Sequence, residues 1–152
     1  MKILIGSDHA GFQAKNDLAR SLAKAGHQVV DVGCNSENSC DYPDFARDVA
    51  LGVSRKKAER GVLICGTGIG MAIAANKVAG VRAAVAWNPA TAVLAWEHNH
   101  ANVLCLSARF LNGPTRFKMA QAWLKAKFGE GRHSRRVKKI SKMESLGCKP
   151  AK

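Results

Sequence analysis

Residues 61–75 read GVLICGTGIGMAIAA, and the fold turns on them. Val62, Leu63 and Ile64 form an unbroken apolar run, the pattern of a strand buried on both faces. Cys65 closes it. Glycines follow at 66, 68 and 70, and a helical pattern then runs from Met71 to Val78. A turn needs one glycine or two; three at alternate positions point to a backbone lying close against something. Strand, glycine loop and helix N-terminus together make an anion site, because the first amides of a helix lack intrahelical partners and its dipole favours negative charge. The anion is either a phosphate or an oxyanion that exists only while a reaction proceeds.

Outward from this stretch the strand signature recurs in KILIGS (2–7), VVDVG (29–33), RAAVAW (82–87) and NVLCLS (102–107). Helical patterns lie between. Phe12, Leu18, Leu22 and Ala25 keep helical spacing until Gly26, and further helices are expected over 44–54, 90–99, 114–128 and 134–146. Pro43 and Pro89 stand where a first helical turn tolerates proline. The alternation predicts an α/β fold: a Rossmann-like three-layer α/β/α sandwich with a five-stranded parallel sheet and an extra C-terminal helix. Residues 1–152 are expected to form one domain, ending in a basic helix and tail over about 131–152.

In such sheets ligands collect at the carboxyl ends of the strands, where strand order reverses. The candidate edge is therefore SDHAG, CNSENSCDYP, CGTGIG, WNP and SARFLNG. Glu97, His98 and Asn99 end the fourth helix and belong to the opposite pole, from which they can reach an active site only across a subunit boundary.

Composition narrows the function classes. The chain is 47% hydrophobic and 23% charged, which excludes disorder over most of its length. No apolar run approaches the ~20 residues needed to span a bilayer. The opening MKILIGSDHAGF turns polar after five residues without a cleavage site, so a cytoplasmic protein is expected. Five cysteines at 34, 40, 65, 105 and 148 contain no C-x-x-C pair, which argues for reduced thiols and against a zinc ribbon. The formal charge is +13, and residues 131–152 hold eight Lys or Arg against one Glu. Such a tail can attract nucleic acid, but a small phosphorylated metabolite needs only two or three of these cations, and no nucleic-acid or membrane partner is expected.

The glycine loop is neither a Walker A sequence, since Gly70 is followed by Met71 and Ala72, nor a dinucleotide fingerprint, since it follows the third strand. A cysteine phosphatase loop would need arginine at 71. Cys65 reads in two ways: a small apolar end to a buried strand, or a thiol whose anion the helix N-terminus favours and which then acts as base or nucleophile. The flanking glycines favour the second. Asp8 and His9 add a carboxylate and an imidazole after the first strand, with Asp8 equally suited to capping the next helix. His98 and Asn99 are a further polar pair or a simple helix end. Arg132 and Arg136, four apart on one face, can hold a phosphate together with Arg109.

Taken together, SDHAGF, DYP (41–43), CGTGIGMAIAANKVAGVRAA (65–84), EHNHANVLCLSARF (97–110) and GRHSRRV (131–137) resemble the type B ribose-5-phosphate isomerases and the related galactose- and allose-phosphate isomerases. The resemblance covers almost the whole chain in order. It implies a homodimer or dimer of dimers, without metal or organic cofactor, that interconverts ribose 5-phosphate and ribulose 5-phosphate. By position it makes Cys65 the general base, with Thr67 beside it, and assigns the amides of Gly66, Gly68 and Gly70 to the enediolate. It puts Asp8 and Tyr42 on the sugar, His98 at ring opening and Asn99 on a hydroxyl. His9, Arg109, Arg132 and Arg136 are left for the phosphate, with His98, Asn99 and Arg109 donated by the partner subunit. One branch of the family has a glutamate base after the third glycine; Met71 stands there, so the chain falls with the cysteine branch. Galactose 6-phosphate and allose 6-phosphate are the alternative substrates, and a noncatalytic sugar-phosphate or nucleic-acid binder is the alternative class. Cys34, Cys40, Cys148 and Glu97 receive no role.

Overall fold

The computed structural model describes residues 1–145. Leu146, the expected end of the last helix, and Cys148 lie outside the described residues. Along the chain come β1 (Lys2–Ser7), a 3-10 turn (His9–Gly11), α1 (Phe12–Lys24), β2 (Gln28–Asp31), α2 (Tyr42–Ser54), β3 (Arg60–Cys65), α3 (Ile69–Ala75), β4 (Ala83–Val85), α4 (Pro89–Asn99), β5 (Val103–Ser107), α5 (Gly113–Lys125) and α6 (Arg132–Ser145). All strand pairs are parallel, in the order β2-β1-β3-β5-β4. This is the expected three-layer sandwich with an added helix.

Strand periodicity sorts the core into two layers. Ile3, Ile5, Val62, Ile64, Leu104 and Leu106 project to one face, where Leu18 and Leu22 of α1, Ala92 and Ala95 of α4, and Met119 and Trp123 of α5 cover them. Leu4, Leu63, Cys65, Val103 and Cys105 project to the other, under Val49 and Val53 of α2 and Met71 and Ala75 of α3. Helix α2 lies close because Gly52 has no side chain: a Cβ there would stand 2.1 Å from Leu4 Cδ1. Helix α6 packs beside α4.

Helix α3 lies two to three residues earlier than the expected 71–78 and α5 stops at Lys125 rather than 128, and two further boundaries differ from the sequence reading for plain physical reasons. Strand β4 spans only Ala83–Val85, since it is the sheet's edge and pairs with β5 alone. Helix α2 begins at Tyr42 rather than Asp44, with Pro43 in the first turn, where its missing amide costs nothing.

One charge lies deep in the first layer. Arg60, 5% exposed, has its guanidinium carbon 3.4 Å from the Trp96 ring centroid and 4.9 Å from that of Trp123, and it donates to the Trp123 carbonyl. Burial, opposed by the charge of Glu59, lowers its pKa to about 10, so the cation persists at neutral pH against aromatic faces and a carbonyl.

Candidate active site

Strand order reverses between β1 and β3, and the two strand ends there carry Asp8 and Cys65. The Cys65 sulfur is nearly buried and accepts a hydrogen bond from the Gly68 amide at 3.1 Å. Gly68 adopts φ +83°, and a Cβ there would crowd the Leu106 carbonyl carbon at 3.2 Å, so glycine alone suits the turn that starts α3. The Gly66 carbonyl accepts from Ser107 Oγ at 2.7 Å and from the Arg109 amide at 3.2 Å, while the Ala108 amide donates to the Cys65 carbonyl at 2.9 Å. Because a peptide unit is planar and trans, holding the Gly66 carbonyl toward β5 turns the Thr67 amide the opposite way. Thr67 Oγ1 accepts from the Ile69 amide at 3.2 Å.

Other residues from the sequence reading converge here. Asp8 is buried and accepts from the Gly11 amide at 3.0 Å, so it does cap the 3-10 turn. His9 Nδ1 accepts from the Cys40 amide at 3.3 Å. The Tyr42 ring covers Gly70, where a Cβ would approach it to 2.9 Å. Arg109 requires a correction. Expected from the partner subunit, it lies over its own chain's glycine loop, its Nε 3.1 Å from where a Gly66 Cβ would stand. The Ser107–Arg109 hydrogen bonds fold the loop after β5 back onto Gly66 and bring it there.

Thiols of this layer differ in setting. Cys105 is fully buried behind Cys65, and burial followed by the charge of Cys65 pushes its pKa far up, so it stays protonated. Cys34 and Cys40 flank the 34–41 loop; Cys34 Sγ donates to the Ser36 carbonyl at 2.9 Å. That loop is anchored by Lys15, 2% exposed, whose Nζ reaches Asp31 Oδ2 at 2.5 Å and the Cys34 carbonyl at 2.8 Å. Lys15→Met is therefore expected to cost about 1–3 kcal/mol, discounted because Asp31 is 40% exposed. Denaturant midpoints check the stability, and a raised KM would register the loosened loop bearing His9's donor.

The remaining site residues gather at the opposite pole. Asn99 and His98 end α4 at the amino edge of the sheet, where Arg82 Nε donates to the Asn99 carbonyl at 3.1 Å and the Gly61 amide to Asn102 at 2.9 Å. The His98 ring stacks on His133 of α6, centroids 4.2 Å apart and planes 8° apart, and His98 Nε2 lies 3.8 Å from Glu97 Oε1. Arg132 and Arg136 flank His133 on α6, and its pKa is lowered by burial first and then by the charges of His98 and these arginines. The chain thus holds its candidate residues in two clusters, about 20 Å apart, the length of a six-residue strand.

Burial also lowers the pKa of His27 and His100, seconded by the N-terminal cation for His27 and by Arg82 and Arg60 for His100. Unfolded, each titrates near ~6.5. The unfolded chain therefore binds more protons as pH falls below ~6.5, and the stability these neutral rings contribute at pH 7 is lost on acidification until the lower folded pKa values are passed. Melting temperature is expected to drop between about pH 7 and pH 5, and His100→Gln to flatten that slope.

The comparisons with known proteins agree along the whole sandwich. A family model described as Ribose/Galactose Isomerase matches residues 3–140. The chain belongs to the ribose/galactose isomerase family. Within that family, the ribose-5-phosphate isomerase B of Escherichia coli (strain K12) is 42% identical over 143 residues, 94% of this chain and 96% of that protein. The Clostridium thermocellum ribose-5-phosphate isomerase B structure superposes with a TM-score of 0.94 at 46% identity, covering 96% of this chain and 99% of that one. That of the Mycoplasma genitalium isomerase B, with bound ribulose-5-phosphate, gives 0.91 at 45% identity, covering 95% and 96%. Ser107 was missed by the sequence reading of this family member. Its only signal was its place as the last residue of a strand at the ligand edge.

Proposed function

We propose that this chain is an aldose-ketose isomerase interconverting ribose 5-phosphate and ribulose 5-phosphate. The observation that supports it most is the Cys65 sulfur at the mouth of the glycine loop, under the Gly68 amide at 3.1 Å, in a chain whose relatives include ribose-5-phosphate isomerases B. In the open-chain aldose, Cys65 as thiolate takes the proton from C2. The electron pair moves into a C1–C2 double bond, and the carbonyl oxygen becomes the enediolate oxyanion. A proton returned to C1 from the Cys65 thiol, which exchanges with solvent while the enediolate lasts, completes the ketose together with transfer of the O2 proton to O1. No electrons are exchanged with another molecule, so the chemistry requires neither a redox cofactor nor a metal.

The other roles follow from charge and position. Amides from Gly66 to Gly70, with Thr67 beside the base, stabilise the enediolate, and each preorganised donor of this kind is worth about 3–4 kcal/mol of barrier. Asp8 and Tyr42 bind sugar hydroxyls. His98 assists ring opening and Asn99 holds a hydroxyl, both supplied by the second subunit. His9, Arg109, Arg132 and Arg136 bind the phosphate, whose binding energy is used to orient the reacting carbons.

We assign the catalytic unit to a homodimer in which residues 1–152 act as one domain, working in the cytosol on a sugar phosphate. No helix of the described residues is long and apolar enough to cross a membrane. The two half-sites lie too far apart for one sugar phosphate to join within a chain. Beside the glycine loop, Ile69 and Ile73 share one exposed side of α3, and Trp87 and Phe110 are 67% and 77% exposed at the same edge. A second copy covers such a surface.

Turnover of ribose 5-phosphate in D2O, followed by NMR, tests the reading: solvent deuterium should appear at C1 of ribulose 5-phosphate as the ketose forms. Neither turnover nor exchange with purified dimer would reject it. Assay of allose 6-phosphate and galactose 6-phosphate decides the sugar, a larger kcat/KM on a hexose reversing the choice.

A further inference from the structure

Helix α4 carries His98 and Asn99 on a last turn closed by the His100 and Ala101 amides, which donate to the Trp96 and Ala95 carbonyls at 2.8 and 2.9 Å, while the Asn99 and His100 carbonyls are left to other partners. Only Ala92 and Ala95 of this helix are fully covered, Asn99 is exposed, and the chain leaves through His100 in the left-handed region, φ +50°, where glycine would be usual. The direction in which His98 and Asn99 point is therefore set by whatever grips the helix end.

Arg82 is that grip. Its Nε donates to the carbonyls of both Asn99 and His100 at 3.1 Å, and its Nη2 lies 3.2 Å from His100 Nδ1. These carbonyls carry the negative end of the helix dipole, so a cation there is favoured twice, by hydrogen bonds and by the field. The arginine is itself braced. Its amide donates to Asn102 Oδ1 at 2.8 Å, and Asn102 Nδ2 donates to the Gly80 carbonyl at 2.8 Å. Arg82 leads directly into β4, so the sheet, the Asn102 bridge and the end of α4 form one rigid corner. A planar guanidinium satisfies two neighbouring carbonyls and an imidazole at once; a lysine ammonium cannot reproduce that fork.

On the shared-site reading above, we infer that Arg82 is a positioning residue for the second subunit's reaction: it fixes the last turn of α4 so that His98 and Asn99 meet the sugar bound at the other subunit's Cys65. It touches no reacting atom. Misplacing a positioned group by about 1 Å costs on the order of 10²-fold in rate, so Arg82→Ala is expected to lower kcat by about 10–100-fold, while the phosphate-binding residues His9, Arg109, Arg132 and Arg136, none of them on α4, keep KM nearly unchanged. Arg82→Lys should fall between.

Subunit mixing separates positioning from mere stability. Full-length Arg82→Ala and Cys65→Ala proteins are dissociated, mixed in equal amounts and reassociated. In each mixed dimer one site combines an intact Cys65 with an intact α4 corner, so activity should recover to about a quarter of wild type by random pairing in a two-fold dimer. No recovery means that Arg82 acts within its own chain, which overturns the inference. The pair His98→Ala and Cys65→Ala tests the underlying reading on its own. If that pair recovers and the Arg82 pair does not, only the role of Arg82 falls; if neither recovers, the shared site falls with it. Should Arg82→Ala fail to fold, Arg82→Lys is mixed in its place, and the same outcomes decide.

Discussion

Cys65→Ala is expected to lower kcat on ribose 5-phosphate by about 10²–10⁴-fold, the contribution of a positioned general base. The substitution removes one sulfur from a nearly buried position between Cys105 and the glycine loop, and alanine fits the same space. Folding should be retained, with binding of a phosphate-bearing inhibitor within a few-fold of wild type, because the cationic groups are untouched. Deuterium exchange at C2 should fall in step with turnover. A variant that keeps exchange and kcat within about fivefold of wild type, well short of a general base's contribution, would remove Cys65 from the mechanism. Cys65→Ser discriminates further: a hydroxyl can occupy the site and accept from Gly68, but it is a far weaker acid than a thiol and should rescue little.

Trp123→Ala is expected to have the largest effect on stability, about 3–5 kcal/mol, against a total of about 5–15 for a domain of this kind. Trp123 is completely buried, its Nε1 donates to the Ala101 carbonyl at 3.0 Å, and its ring forms one of the two walls around Arg60. Truncation opens a cavity, strands a carbonyl and leaves a buried guanidinium with a single aromatic face. A fall in melting temperature of roughly 6–20 °C follows for a chain of this length. Trp123→Phe should lose less, since it restores most of the wall but not the hydrogen bond. Arg60→Met, which removes the buried charge, should partly offset the loss when combined with Trp123→Ala. Additive effects of the two substitutions would show that ring and cation are not coupled.

Much of this fold was legible because buried parallel strands announce themselves. The runs ILIG (3–6), VLIC (62–65) and VLCL (103–106) carry no charged, amide or hydroxyl side chain on either face, and they form the middle of the three central strands β1, β3 and β5. Edge strands were read too long: RAAVAW promised six residues and the sheet pairs three, since one neighbour cannot align the rest. Strand order was not legible, because β5 takes its place between β3 and β4 through packing that no local pattern encodes. At the candidate site, Asp8, Cys65, Tyr42 and the glycines could be placed because loop and strand end fix them. The separation of His98 and Asn99 from that pole was also readable, from the length of α4. Arg109 could not be placed. Its side depends on the Ser107 hydroxyl and two amides folding a loop backward, which is a tertiary event without a sequence signature. Arg82 escaped notice for a similar reason: a lone arginine before a strand reads as solvent-facing until the end of α4 is seen against it.

Helix α3 has only seven residues, too few to persist without outside support. Its inner side, Met71, Ala72 and Ala75, closes over the layer that holds Cys105, its first turn presents the amides, and Ile69 and Ile73 face outward. In the proposed homodimer, chemistry and assembly thus lean on the same two turns of backbone. Drift at the contact between copies would then disturb the cradle as well, which would couple the evolution of quaternary structure to that of turnover.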